Sequence, residues 1–529
     1  MKNRTMKKIV YIILASILLS VSSCNDLLDI NNNNTVTTGN FWKSESDIDK
    51  GVTAVYNMFY KQGTWTRNIY TQMNGMADDG VSFSGWVELA EWSRFVYRNY
   101  NFDEVNTKIW GEHYKAIFRA NQVLDHIDGI KFESQELKDD YKGQTLFLRS
   151  FYYFYLAVLY EDVPLVLKTS SASDKPEQKE VGVIWNQIEE DLKLAISILP
   201  LTRNSDKYGR VTRGAAYALL GKTYMQQHKW DDAAKTLKWF VETGEEGSAL
   251  YDLMSNYEAN FRNDTENNKE SVYEIQFSQV NNTGFDTDFD ANSNLGTQIA
   301  MNQSPAGLGW NNIQARRWLV DYFKREKTVD GKYDKRLYYS LWYNDAAKDF
   351  PEENNLVYGR EWSSNATWGE QVFIKKYTSK LSGTETEFYW HDINFRLFRY
   401  SDILLLYAEA LNEAGNTPSA KAIECLNKVR ERAKLPKIEQ SSYYNGALIT
   451  TNKEEFREHL KIERALELCL ECVRWIDLKR WGLSDQRVID NLTIKDSDFS
   501  NFVVGKSHRM PIPQSEVDNN PNLHQNKPY

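Results

Sequence analysis

The chain has 529 residues, with 64 basic against 73 acidic side chains and a formal net charge of −9. Hydrophobic residues make up 41% and charged residues 26%, a composition that excludes general disorder. The acidic balance argues against nucleic acid as the main partner, because phosphate binding needs a clustered positive surface. Aromatic residues reach 13%, including 16 Trp, so the central question is which rings fill the core and which are exposed for binding.

The first 24 residues predict export and a lipid anchor. Basic residues at positions 2–8 precede an apolar stretch, 9–21, that is short for a bilayer core of ~30 Å. Small residues then lead directly into Cys24, which is typical of a lipoprotein signal peptide over 1–23. We expect cleavage before Cys24 and lipid on its thiol, which would hold the protein at a membrane surface. The alternative is an ordinary signal peptide followed by a chance cysteine.

Helical periodicity begins after a polar, Asn- and Thr-rich stretch that is interpreted as a tether, residues 24–40. Apolar residues then recur at spacings of three and four, which predicts helices. The first four predicted helices have their apolar faces within 48–59, 109–127, 146–160 and 183–199. The third helix is unusually aromatic and is expected to end before Pro164, because proline lacks the amide donor that a continuing helix uses.

A tetratricopeptide-like pattern follows. Gly221 is followed by Tyr224 and, after twelve residues, by Ala233, and the small residues would let two helices approach closely. The pattern partly recurs with Ala408 and Ala420. The sequence therefore predicts a mostly α fold of tetratricopeptide-like helical repeats. A helical bundle without repeats, with chance spacing, is the alternative.

The segment 246–395 has a different character. It is rich in Asn, Asp, Gly, Ser and aromatic residues, and only 272–277 and 372–377 alternate as short strands do. We interpret it as a loop-rich capping and ligand-binding region between a helical repeat region at 41–245 and a C-terminal helical region at 396–529.

Two features of the C-terminal region invite functional readings that we do not favour. Cys469 and Cys472 form a C-x-x-C inside a helical pattern, and with Cys425 they are interpreted as buried structural thiols. A run of charged residues at helical spacing predicts a charged face or structural ion pairs more than catalysis. These residues are Glu463, Arg464, Glu467, Glu471, Arg474 and Asp477.

Several segments, taken in order, resemble the SusD/RagB family of outer-membrane lipoproteins. They are Cys24, Phe41-Trp42, Arg149 with the helix ending at 160–165, the repeat at 210–241, and the segments 330–336, 399–414, 426–430, 463–482 and 511–526. The chain departs from the family at Glu161, where glycine is frequent, and at Lys527-Pro528, where Pro-Gly is usual. Both departures look like turn variants.

The resemblance implies a fold with four repeat-type helix pairs and an irregular capping part. It also implies a surface lipoprotein that lies over a SusC-like TonB-dependent transporter and captures an oligosaccharide without catalysis. It brings the regions 75–100 and 285–320 toward one face. No ligand-contact motif transfers from the family, because its ligand contacts vary with the glycan.

Sugar rings present apolar C–H faces on which aromatic side chains stack, while polar neighbours bind the hydroxyls. Two stretches, 78–100 and 301–390, place aromatic rings beside such polar residues. The candidate ligand-binding residues are Asp78, Asp79, Trp86, Trp92, Trp310, Asn311 and Trp368. The two aspartates could instead cap a turn or hold Ca²⁺, the one cofactor the sequence leaves open, and each tryptophan could instead belong to the core.

Two other functions remain as alternatives at this stage. One is a peptide-binding lipoprotein of the same transport type, because tetratricopeptide grooves often bind peptides. The other is a glycoside hydrolase, which would need two facing carboxyl groups. No recognisable catalytic sequence motif surrounds any of the acidic residues, so glycan binding is the leading hypothesis.

Overall fold

The computed structural model describes residues 41–97, 104–279, 295–351, 356–379, 387, 389–527 and 529. The expected signal peptide, the tether and Cys24 lie outside these residues. Within the described ranges, no helix combines the length and the apolar character needed to cross a bilayer.

Helices dominate the described chain. The first eight are α1 (Glu45–Tyr56), α2 (Asn68–Gly75), α3 (Val87–Ser93), α4 (Glu104–His126), α5 (Gln135–Tyr160), α6 (Val181–Ile198), α7 (Arg213–Gln226) and α8 (Trp230–Val241). Three short ones follow, α9 (Ile299–Gln303), α10 (Arg317–Phe323) and α11 (Lys335–Ser340). The C-terminal helices are α12 (Tyr400–Ala414), α13 (Ala420–Arg432), α14 (Gly446–Ile449), α15 (Lys453–Leu468), α16 (Arg474–Arg480), α17 (Gln486–Lys495) and α18 (Gln514–Asn519).

The long helices pack in succession along the chain. Helix α1 packs on α4, α5 on α6, α7 on α8 and α12 on α13, and each pair also contacts the next. Gly221 on α7 shows why: a Cβ atom there would lie 2.4 Å from Cδ2 of Leu237 on α8, so a larger residue would force the Leu237 side chain to move. Ala233 is fully buried in the same contact zone. The prediction of a mostly α, tetratricopeptide-like fold is confirmed.

Eight short strands form two-stranded antiparallel sheets among the described residues. They are β1 (Gly80–Val81), β2 (Val163–Pro164), β3 (Gln178–Lys179), β4 (Ser271–Ile275), β5 (Gln314–Ala315), β6 (Leu341–Trp342), β7 (Phe373–Ile374) and β8 (Phe395–Arg399). The pairs are β1 with β5, β2 with β3, β4 with β8 and β6 with β7. The strand predicted at 272–277 corresponds to β4, whereas 372–377 contains only the two residues of β7.

Most of the aromatic excess fills the core. The aromatic half of α5 is buried along its whole length and packs against Trp65 and the helices on both sides. Several tryptophans on or beside the helices are buried, namely Trp110, Trp185, Trp239, Trp318 and Trp475, and Trp230 and Trp481 are half-buried. Cys425, Cys469 and Cys472 are free and buried, as predicted.

Helix α5 ends on a left-handed residue. Glu161 has φ = 67°, a region that favours glycine, which gives a physical reason for the glycine expected there from the family resemblance. Its carboxylate is held by Lys479 at 2.6 Å and by Arg509 at 3.2 Å. The turn therefore keeps its shape with a charged side chain that ties α5 to the C-terminal segment.

The charged residues of α15 form a buried ion-pair network. Glu467 lies between three guanidinium groups: Arg399 and Arg432 approach Oε1 at 2.9 and 2.5 Å, and Arg336 approaches Oε2 at 3.1 Å. Burial opposes ionisation, yet these guanidinium groups hold the pKa of Glu467 well below its ordinary value. Glu463 pairs with the same Arg336 at 2.7 Å. These charged residues therefore form structural ion pairs, one of the two arrangements that the sequence pattern predicted, and not an exposed charged face.

A second part of the network joins the two halves of the chain. Asp402 on α12 pairs with Lys222 on α7 at 2.5 Å and with Arg464 on α15 at 2.8 Å. Arg464 also pairs with Asp477 on α16 at 2.8 Å. All four side chains are almost fully buried. These buried ion pairs thus connect α7 and α12 to α15 and α16.

Candidate functional site

Two tryptophans predicted to bind ligand, Trp86 and Trp310, come together at the surface. The short sheet of β1 and β5 joins their segments, with Gly80 opposite Ala315. A Cβ atom at Gly80 would lie 2.2 Å from the carbonyl oxygen of Asn74, so β1 reaches this position only with glycine. The sheet therefore brings two segments that are far apart in sequence to one edge of the molecule.

Local hydrogen bonds fix each tryptophan. The Trp86 amide donates to Ser84 Oγ at 2.9 Å, and the Trp86 carbonyl accepts from the Ala90 amide at 3.1 Å as α3 begins. The Trp310 amide donates to the Met301 carbonyl at 2.7 Å, which folds its loop back onto α9. Both indoles are half-buried, so each keeps a surface for contact.

Arg67 lies between the two indoles. Its guanidinium carbon is 4.2 Å from the ring centre of Trp86 and 4.9 Å from that of Trp310. The ring centre of Tyr389 lies 5.8 Å from that of Trp310, and Tyr389 is 45% exposed. We call Arg67, Trp86, Trp310 and Tyr389 the platform. Contacts of a cation with aromatic faces stabilise such an arrangement by ~0.5–2 kcal/mol.

Amide groups border the platform beside Trp310. Asn311 has φ = 54°, a left-handed conformation that asparagine tolerates better than most residues. Its Nδ2 donates to Gln371 Oε1 at 3.1 Å, and Gln314 Nε2 donates to the same oxygen at 2.9 Å. An aromatic surface with adjacent amides has the chemistry that stacks on a sugar ring and hydrogen-bonds its hydroxyls.

Trp92 and Trp368 are not part of this surface. Trp92 is buried on α3 and stacks on Tyr97 with ring centres 4.1 Å apart. Trp368 is fully buried and packs against Trp362 and Phe373. Both rings fill apolar cores, which leaves them no face to offer a ligand and corrects the expectation that they bind one.

Asp78 and Asp79 are buried, and their carboxylates hold the β1 segment to the C-terminal helices. Asp78 accepts from Arg474 through both oxygens, at 2.5 Å from Nε and 2.9 Å from Nη2. Asp79 Oδ2 accepts from the Leu470 amide at 2.9 Å. The expectation that these aspartates bind sugar hydroxyls is corrected, because neither carboxylate reaches the surface.

The same geometry does not fit a Ca²⁺ site. Both oxygens of Asp78 are already engaged by a cation of the protein itself, and Ca²⁺ needs six to eight oxygen ligands. In the part of the chain that the structure describes, no group of three or more His, Cys, Asp or Glu side chains is arranged to hold a metal ion.

Asp79 makes stability depend on pH. Burial, and after it the neighbouring Asp78 carboxylate, raises the pKa of Asp79 to about 7. The folded state therefore binds a proton that the unfolded chain releases, and the free energy of unfolding falls as pH rises from about 4 to about 7. We expect Asp79→Asn to reduce this fall by at least ~1 kcal/mol, measured by urea unfolding at pH 5 and pH 7.5. Identical pH profiles for the two proteins would contradict the assignment.

Sequence reasoning missed Arg67 and Tyr389. Arg67 lies two residues after the buried Trp65 and directly before the buried α2, and nothing in this local sequence indicates that it contacts two distant indoles. Tyr389 adjoins Trp390, and this aromatic pair in the loop-rich region was the one available signal.

Two family models match the chain. Residues 269–529 match the model described as SusD family, and residues 26–225 match the model described as starch-binding associating with outer membrane. Two SusD-like proteins of Formosa agariphila are 24% and 25% identical to this chain. The first alignment covers 97% of both chains, and the second covers 96% of both chains.

Solved structures share the fold. A SusD superfamily protein from Bacteroides vulgatus is 27% identical with a TM-score of 0.78, and the match covers 92% of this chain and 100% of that one. A laminarin-binding SusD-like protein is 25% identical with a TM-score of 0.71 and the same coverage. Surface glycan-binding protein A from Bacteroides thetaiotaomicron, in complex with laminarihexaose, is 23% identical with a TM-score of 0.69 over 91% and 99% of the two chains, which shows the fold alone.

The matches cover both halves of the chain, and the motifs that carried the sequence resemblance lie within them. The chain belongs to the SusD family.

Proposed function

We propose that the protein is a cell-surface lipoprotein that captures oligosaccharides on the platform and delivers them to a SusC-like TonB-dependent transporter. The observation that carries this proposal is the convergence of Trp86 and Trp310 around Arg67 at the surface. Aromatic rings that are held in place lose little conformational entropy when a ligand stacks on them. The amides of Asn311 and Gln371 would take the hydroxyl groups of a stacked sugar.

The relatives support a saccharide as the ligand. One similar structure is described as laminarin binding, and another was solved with laminarihexaose. Laminarin and laminarihexaose are therefore suitable first probes, within a panel of other polysaccharides. The lipoprotein signal pattern supports the proposed lipid anchor at Cys24. The description of the matching family model as associating with the outer membrane supports the proposed location beside a transporter.

We further propose that binding is not followed by hydrolysis. Glycoside hydrolysis ordinarily uses two carboxyl groups about 5–9.5 Å apart that face the scissile bond. The side chains assigned to the platform and its amide border include no carboxylate, and Asp78 and Asp79 are buried in structural contacts. Release of free sugar from a bound glycan would contradict this part of the proposal.

Removing either platform indole is expected to weaken saccharide binding. Trp86→Ala or Trp310→Ala should cost ~1 kcal/mol or more of binding free energy, about fivefold or more in Kd, because stacking on the ring is lost. Isothermal titration calorimetry with the saccharide that the wild-type protein binds measures the change.

Trp230→Ala is the matched control, because Trp230 is also half-buried and stacks on His228 with ring centres 4.8 Å apart. We expect it to lose comparable packing without changing Kd. Unchanged affinity in both platform variants, or an equal loss of affinity in Trp230→Ala, would refute the platform as the binding site.

A further inference from the structure

A cleft separate from the platform opens between the loop that connects α6 to α7 and strand β4. Its cavity has a volume of about 290 Å³ and is walled by Tyr208, Tyr251 and Tyr273. A smaller cavity of about 150 Å³ shares the Tyr208–Arg210 segment as a wall and is also lined by Tyr56 and Tyr60. The platform residues line neither cavity. We call the two cavities together the tyrosine cleft.

The loop that walls the cleft is held rigidly. Arg203 contacts the two carboxylate oxygens of Asp140 at 2.7 and 2.5 Å. Gly209 has φ = 86°, which glycine adopts without strain, and its carbonyl accepts from the Tyr273 hydroxyl at 3.3 Å. A preformed cavity binds a ligand without the entropy cost of ordering its walls.

The cations of the wall are each paired with a carboxylate. Arg210 contacts Asp49 at 2.9 Å, and its guanidinium also lies 5.1 Å from the ring centre of Tyr56. Lys269 contacts Asp252 at 3.2 Å, and the pairing of Arg203 completes the set. Glu274, a carboxylate on the same wall, contacts Arg396 at 3.2 Å. Because these charges are neutralised within the protein, the cleft favours an uncharged ligand.

The surface that remains for a ligand combines rings with small polar groups. Tyr208 is 50% exposed, and Tyr251, which lines the same cavity, is half-buried. Thr202 and Ser271 line the same cavity. Rings that accept C–H faces beside hydroxyl donors and acceptors recognise neutral polyhydroxyl compounds, and the larger cavity is close to the lower limit of about 300 Å³ for small-ligand sites.

We propose that the tyrosine cleft is a second binding site, for a short neutral saccharide, which acts separately from the platform. The proposal stands on the cleft's own geometry and does not require the platform to bind. A second site for the same chemical class would let one protein hold a glycan chain at two points, which raises avidity without new contacts at either point.

The test uses the double variant Trp86→Ala/Trp310→Ala, in which the platform is removed. Laminarihexaose, maltohexaose and cellohexaose serve as neutral probes, and saturation-transfer NMR with titration measures the binding. We expect the double variant to retain saturable binding of at least one probe, weaker than in the wild-type protein. Adding Tyr208→Ala should weaken that residual binding at least tenfold, whereas Tyr208→Phe, which keeps the ring, should weaken it less.

Tyr443→Ala in the same background is the matched control, because Tyr443 is 51% exposed and does not line the cleft. Residual binding that survives Tyr208→Ala, or that Tyr443→Ala lowers equally, overturns the cleft. Failure of the double variant or of the wild-type protein to bind any probe also overturns it. The peptide tetraalanine serves as a further probe, and the proposal is overturned if the double variant binds this peptide instead of the sugars and loses that binding on adding Tyr208→Ala. Wild-type affinity in the double variant, lost on adding Tyr208→Ala, would overturn the platform and leave the cleft standing.

Discussion

Replacing Glu467 by alanine is expected to lower the free energy of unfolding by about 3–5 kcal/mol. The substitution leaves Arg336, Arg399 and Arg432 close together in a buried site without the carboxylate that all three contact. Removing one partner from a buried ion pair is far more costly than the loss of an exposed pair, and here the three guanidinium groups also lose the carboxylate that offsets their mutual repulsion. Urea or guanidinium unfolding followed by circular dichroism measures the loss.

Glu424→Ala provides the control for this experiment. Glu424 pairs with Lys421 at 2.7 Å on the exposed face of α13, and its side chain is 64% exposed. We expect that variant to lose less than about 1 kcal/mol, since solvent screens the pair. A loss below about 1 kcal/mol in Glu467→Ala as well would show that solvent reaches the network and would contradict the structural role assigned to it.

Asp78→Ala is expected to lower the free energy of unfolding by a similar amount, about 3–5 kcal/mol. It removes both carboxylate oxygens that accept from the buried Arg474 guanidinium, which keeps the Lys461 carbonyl at 3.1 Å, and it releases the segment that leads into β1. Because β1 positions Trp86 relative to Trp310, saccharide binding should weaken together with stability. Unfolding curves and calorimetric titrations of the same preparations provide both readouts.

Asp264 offers a pair of the same geometry in a different environment. Arg262 contacts its two oxygens at 2.8 and 2.6 Å, but the aspartate side chain is 56% exposed. Asp264→Ala should therefore cost no more than about 1 kcal/mol and leave binding unchanged. If Asp78→Ala weakened binding while its unfolding curve matched the wild type, Asp78 would have to be restored as a ligand residue.

The helical scaffold was accessible from sequence because its signals are local. Spacings of three and four residues marked the helices, and the small residue at Gly221 marked a close helix contact that the structure shows against Leu237. The sequence also singled out Trp86 and Trp310, which the structure places at the surface, because each is an aromatic residue beside polar neighbours. For these features, a window of some ten to thirty residues contains the determining information.

The composition of the site was not accessible in the same way. Asp78 lies in a polar loop by sequence, yet its partner Arg474 is 396 residues away. Trp368 lies among Ser, Asn, Thr and Gly but is enclosed by Trp362 and Phe373. Local composition cannot separate an exposed ring from a buried one when distant segments decide the burial, and the same reason hid Arg67.

The residues that carried the family resemblance have a structural meaning. Arg399, Glu463, Glu467 and Arg474 belong to buried ion pairs, and none of them is on the platform. A buried ion pair tolerates few substitutions because the removal of one partner leaves the other uncompensated. Such residues therefore identify the scaffold, whereas the ligand-facing residues are free to differ from one protein to another.

The long-range pairs also determine the order in which the chain acquires its structure. Asn74 and Asp78 contact Cys472 and Arg474, almost 400 residues later in the chain, and Lys222 contacts Asp402. Each of these contacts can form only after the later residue has been synthesised. Closing such long loops is slow, and contacts of high sequence separation form late in folding. During synthesis the early helices can pair as they emerge, but the segment bearing Trp86 is held only after α16 exists. The proposed binding surface thus matures late, and a chain truncated before α16 would carry a scaffold without it.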